Sequence, residues 1–161
     1  MDGEKDIIFV GMADIKVASS PSILRTNLGS CIAVCLYHAG KEIGGMLHFM
    51  LADSFDAAKT GREVKRNKFA DTGLMDLIGL LERNFEIAVT ELTAKIFGGA
   101  RILKMCSLDI GKRNEESAIN LLVKNNIKIL ASKTGGESGY KIDFNLKTGK
   151  VICQTFGSKE E

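Results

Sequence analysis

The stretch "RTNLGSCIAVC", residues 25–35, places a cysteine behind two small residues and at the mouth of an apolar run. A thiol in that setting has four uses: packing, a metal ligand, half of a disulfide, or a nucleophile. The nucleophilic use needs a base, because an ordinary thiol is mostly protonated near neutral pH. The chain holds two histidines, His38 and His48. Tyr37-His38-Ala39-Gly40-Lys41 reads as a turn between two strands. With Ala39-Gly40 as a two-residue hairpin loop, His38 faces Lys41 and Cys31 faces His48. Opposed side chains on antiparallel strands hold their Cβ atoms about 4.5–5.5 Å apart. An imidazole so placed can take the thiol proton and later return it to a leaving amine. A third polar group usually orients such an imidazole, and Thr26 and Ser30 are the hydroxyls nearby. Gly29, Ser30 and Cys31 can aim backbone N–H groups at an oxyanion, because glycine permits close approach.

The bland reading of Cys31 stands beside this one, since cysteine often behaves as a small buried hydrophobe. Cys35, inside the apolar run, reads as core. Cys106 and Cys153 read as core or surface thiols. Zinc is disfavoured: Cys31, Cys35 and His48 lack a convincing fourth ligand. A Cys31–Cys35 disulfide is disfavoured because four residues along a strand span too far.

The elements that would position these residues follow from periodicity. Apolar runs rich in Ile, Val and Phe at 7–10, 32–37, 43–50, 89–97, 127–131, 141–144 and 151–156 predict strands. Residues 68–82 predict a helix whose Ala70, Leu74, Leu77, Ile78 and Leu81 share one face, with Asn67 placed to cap it. Residues 114–124 predict a second helix, capped by Asn114, with Ala118, Leu121 and Leu122 as its stripe. Glu115 and Glu116 sit where the helix dipole favours anions. Strands mixed with helices predict an α/β or α+β layered domain with a mixed, largely antiparallel sheet. Gly98-Gly99 and Gly135-Gly136 read as turns and match no phosphate-binding fingerprint.

The 161 residues, with one proline and no linker or repeat, predict a single domain over 1–161. Lys and Arg number 22 against 20 Asp and Glu, a balance that argues against nucleic acid as a partner. No apolar run reaches the length of a membrane span, so no membrane insertion is expected. The beginning MDGEKDIIFVG is unlike a secretory signal, so a cytoplasmic chain with reduced thiols is expected. Phe69, Phe97 and Ile102 are candidates for a partner surface, with core as the competing use.

These residues resemble a family. "LGSCIAVCLY" at 28–37 and "GGMLHFML" at 44–51 look like the chemoreceptor glutamine deamidase CheD family of chemotaxis. "KFADTGLMDLI" at 68–78, "AKIFGGARIL" at 94–103, "IGKRNEESA" at 110–118 and "TGGESGYKIDFNLKTGKV" at 134–151 resemble further segments of it, in order. The resemblance implies hydrolysis of glutamine side-chain amides on methyl-accepting chemotaxis receptors. It implies Cys31 as nucleophile, His48 as base and Thr26 as the third member, with Ser30 and Gly29 beside the oxyanion. It implies a layered α/β sandwich, no metal and no organic cofactor. A CheC-type phosphatase is the second implied partner, and engaging it is the rival role. Two positions depart from the family pattern. The segment from Thr26 to Cys31 is a residue shorter than is common and carries Asn27, and Ala52 stands where proline is common.

Overall fold

The computed structural model describes residues 6–54, 65–102 and 109–156. Nine strands occur among them: β1 (Ile7–Phe9), β2 (Asp14–Ser19), β3 (Ile23–Leu28), β4 (Ile32–His38), β5 (Ile43–Phe49), β6 (Thr93–Gly98), β7 (Lys128–Thr134), β8 (Tyr140–Asn145) and β9 (Val151–Thr155). The helices are α1 (Ala70–Phe85) and α2 (Ile110–Lys124), with short 3-10 turns at Arg66–Lys68 and Val89–Glu91. The layered, mixed α/β class holds, and its strands divide between two sheets. One has the order β1-β3-β8-β9, the other β2-β5-β4-β6-β7. Each sheet has one parallel pair, β1 with β3 and β6 with β7, and is otherwise antiparallel.

β4 explains the layering. Ile32, Val34 and Leu36 join Leu74, Leu77 and Leu81 of α1 and Leu122 of α2 in one apolar cluster. Cys31, Ala33 and Cys35 join Leu24, Leu28, Ile142 and Phe144 of the other sheet in a second. A strand covered on both faces reads as an unbroken apolar run, and this one does. The layers are therefore helices, five-stranded sheet and four-stranded sheet, with one core on each side of the central sheet.

The hairpin register differs from the expectation. Ile32 pairs with Phe49, Ala33 with His48 and His38 with Ile43. The loop is four residues, 39–42, instead of two. Glu42 takes the left-handed conformation at φ 54°. Its amide donates to the Ala39 carbonyl at 3.2 Å, and the Lys41 amide donates to His38 Nδ1 at 3.0 Å. Those bonds favour the longer loop over the two-residue turn.

Two caps also differ. Phe69, not Asn67, precedes α1, and no side chain caps that end. Asp109 caps α2, accepting from the Lys112 amide at 3.0 Å, so the helix starts four residues before Asn114. Gly111 belongs in that first turn because a Cβ there would lie 2.2 Å from the Gly99 carbonyl oxygen. Residues 89–92 turn before β6 begins. β2 and β3 were not among the expected strands. Phe69 and Phe97 are buried in the core, whereas Ile102 is exposed.

Candidate active site

Cys31 ends the connection from β3 to β4, just before the first ladder pair of the five-stranded sheet. Three successive carbonyls of this connection are bonded. Gly29 O accepts from the Ala100 amide at 3.0 Å, Ser30 O from Asn114 Nδ2 at 3.0 Å, and Cys31 O from the Gly99 amide at 2.9 Å. Gly98 makes this approach possible. Its φ is +108°, and a Cβ there would stand 2.2 Å from Cys31 O. Only glycine accepts both demands. The connection is thus held by the end of β6 on one side and by α2 on the other.

His48 lies near the end of β5, opposite Ala33 on β4 and Asp14 on β2. Cys31 stands two residues before Ala33, so it is a diagonal neighbour of His48, not the direct one expected. A slip of two residues keeps a side chain on its face, whereas a slip of one reverses it. Both side chains therefore still enter the layer between the sheets. Diagonal neighbours lie about 7–8 Å apart at the backbone, within reach of a long planar side chain.

Thr26 comes from the opposite sheet. Leu24, Thr26 and Leu28 alternate inward along β3, while Arg25 turns outward to a two-bonded pair with Asp143, its neighbour on β8. Thr26 is fully buried. Its hydroxyl lies 2.6 Å from the Val10 carbonyl and 2.8 Å from His48 Nδ1. A carbonyl can only accept, so the single hydroxyl proton goes to Val10 O. Nδ1 must then carry the imidazole hydrogen and donate it to Thr26 Oγ1. The tautomer is fixed, and Nε2 is left as a bare lone pair. Among the described residues, Nε2 is buried without a hydrogen-bond partner.

Burial governs the charge state. It pushes His48 down to about 4, against a backbone hydrogen bond to Val10 and the pull of the Asp14 carboxylate. It also pushes the Cys31 thiol up, outweighing its own backbone N–H. Both shifts favour a neutral thiol beside a neutral imidazole in the resting protein. Charge that develops in this buried layer would be acted on strongly by fixed dipoles.

The structure brings Cys31, His48 and Thr26 to one end of the central hairpin. Gly29 and Ser30 are half-buried beside Cys31. Cys35 is buried in the core and Cys153 is half-buried, each a free thiol, and Cys106 lies outside the described residues. Two participants were not foreseen. Val10 contributes only a backbone carbonyl, for which a sequence carries no signal. Asn114 was read as a cap. Its signal was an amide four residues before Ala118, on the apolar stripe itself.

A family model described as CheD chemotactic sensory transduction matches residues 50–155, beginning just after His48. A probable chemoreceptor glutamine deamidase CheD of Syntrophomonas wolfei subsp. wolfei is 42% identical over 159 residues, covering 96% of each chain. The chemoreceptor glutamine deamidase CheD of Halalkalibacterium halodurans is 40% identical, covering 96% of this chain and 98% of its own. That of Thermotoga maritima is 35% identical over 94% of both. Among solved structures, the Bacillus licheniformis hypothetical protein YfiH aligns with 74% of this chain and 50% of its own at 13% identity and a TM-score of 0.49. From its family-model match and its near full-length relatives, the chain belongs to the CheD family.

Proposed function

We propose that the chain is a protein-glutamine deamidase acting on chemoreceptors, with Cys31 as nucleophile, His48 as general base and acid, and Thr26 as the group that orients His48. One observation carries the reading: His48 donates through Nδ1 to Thr26 and keeps a bare, buried Nε2 in the layer that Cys31 enters. The relatives, chemoreceptor glutamine deamidases by name, supply the substrate class, receptor glutamine side chains.

The cycle balances around one imidazole. His48 Nε2 takes the Sγ proton as sulfur bonds to the carboxamide carbon. Backbone N–H groups of Gly29, Ser30 and Cys31 are the candidate oxyanion donors, each such donor typically contributing about 10²–10³ in rate. The imidazolium then protonates the amide nitrogen, the C–N bond breaks and ammonia leaves. Water gives a proton to Nε2 and bonds to the thioester carbon. The C–S bond breaks, the proton returns to sulfur, and glutamate departs. Throughout, Thr26 accepts from Nδ1–H, so the ring keeps its orientation as charge comes and goes.

The test is ammonia release with intact-mass readout on a purified chemoreceptor cytoplasmic fragment, comparing wild type with Cys31→Ala and His48→Ala. The expected result is the mass gain of an amide-to-acid conversion together with ammonia, both absent in the two variants. Wild type giving neither, on several receptors, would overturn the enzymatic reading and leave a module that engages a CheC-type phosphatase.

A further inference from the structure

Direct pairing of β4 with β5 ends at Ile32 and Phe49. Beyond that rung the two chains part, one toward the Cys31 connection and the other toward α1. The Met50 amide already bonds the Lys68 carbonyl at 2.8 Å. Where the next rung would fall, a single side-chain amide spans the gap. Asn114 Nδ2 donates to Ser30 O at 3.0 Å and to Met50 O at 2.8 Å. An amide nitrogen has two hydrogens, and each chain takes one. Ser30 directly precedes Cys31, and Met50 lies two residues after His48.

We infer that Asn114 is a positioning residue: its amide acts as the missing rung that fixes the separation of Cys31 and His48. The inference rests on the deamidase reading above. Asn114 is 1% exposed, and among the described residues its Oδ1 has no partner. An orphaned buried oxygen is unfavourable. Ala118 and Leu122, its neighbours on the same stripe, are apolar. An apolar side chain of equal volume would avoid the orphan, but it could not tie the two strand ends together. Helix α2 is thus tied to the backbone beside each member of the pair.

The experiment uses the full chain carrying Asn114→Leu, which keeps the volume and loses the donors, or Asn114→Asp, which keeps the shape and replaces the donor with an acceptor. Leu81→Ala is the control. It lies in the helix-side core of α1, whose C-terminal carbonyls at Phe85 and Glu86 meet Lys41 at the far end of the hairpin. Readouts are kcat and KM on the receptor fragment, the pH dependence of Cys31 alkylation by iodoacetamide followed on its own peptide, and the unfolding midpoint. In both Asn114 variants kcat is expected to fall about tenfold or more at unchanged KM, the scale of a small misplacement. The alkylation profile of Cys31 should shift as well. Leu81→Ala should lower the midpoint and move neither. Should Asn114→Leu not fold, Asn114→Ser, with one donor, is expected to give an intermediate kcat. Wild-type kcat in the variants, an unmoved alkylation profile, or a loss no larger than that of Leu81→Ala would overturn the inference. Deamidation surviving in Cys31→Ala would instead sink the catalytic reading itself, whatever the Asn114 variants do.

Discussion

The two histidines sit at opposite ends of one hairpin and are wired in opposite senses. At the tip, His38 Nδ1 accepts from the Lys41 amide, so its hydrogen is on Nε2 and faces Glu91 Oε2 at 3.2 Å. Both nitrogens are used, and the ring closes a turn. At the open end, His48 donates from Nδ1 to Thr26 and has nothing on Nε2. One ring is half-buried and fully satisfied; the other is 2% exposed and half satisfied. Folding alone favours the first arrangement, because a buried polar atom without a partner is costly. The second persists where a substrate is expected to complete it, and such exceptions call for a functional account.

The sharpest way to break this contrast is to make the same change at both ends. His48→Gln should lower kcat by about 10²–10⁴-fold, the usual worth of a positioned acid–base group. His38→Gln should stay within about twofold, as surface substitutions generally do. Steady-state kinetics on a receptor fragment decides it, and equal losses at the two ends would remove the distinction. Next in size is Thr26→Val, which keeps the shape and removes the hydroxyl. It removes the hydroxyl that sits between Nδ1–H and the Val10 carbonyl, so kcat should fall about 10- to 100-fold, as when an orienting partner is removed from a functional histidine. Stability should fall by about 1–3 kcal/mol for the unpaired groups. Nitrogen NMR of the imidazole reports the cause directly: a fixed Nδ1–H tautomer in wild type, a mixture in the variant.

The contrast also marks what a sequence can carry. β4 and β5 were legible because burial on both faces writes an unbroken apolar run. Their register was not, since loop length depended on Glu42 adopting a left-handed conformation and on His38 capturing the Lys41 amide. The error was harmless at the site only because it was even; an odd slip would have put Cys31 and His48 on opposite faces. β3 was missed although Leu24, Thr26 and Leu28 alternate, because a buried threonine and an outward Arg25 dilute the apolar signal. Thr26 was one of two nearby hydroxyls, chosen over Ser30 by the family resemblance, and its bond to Val10, which fixes the tautomer, had no sequence signature. The early start of α2 was hidden by Gly111, which is there for the backbone of Gly99 and not for helix propensity. Local pattern carried the elements; what crossed from one sheet to the other did not show.

The smallest effect tests whether the resting pair refuses a second proton. His48 is held at about 4, below its ordinary 6.5, by burial. Between those two values the unfolded chain binds the proton that the folded chain refuses. Stability contributed by neutral His48 is therefore full above the ordinary value and is lost as pH falls through the window toward 4. By about pH 5 the loss should be on the order of 2 kcal/mol relative to neutral pH. Asp143, held low by Arg25, adds its own loss only below the ordinary carboxylate value of 3.8, so the two windows separate. Urea unfolding of wild type and His48→Gln across this range gives the answer: wild type should soften on acidification, and the variant should be markedly flatter. A neutral pair and a thiolate–imidazolium pair each hold one proton, so both soften alike on acidification. A wild type that keeps its stability down to about pH 5 would mean that the folded site takes up a second proton as readily as the unfolded chain, against the burial that holds His48 low.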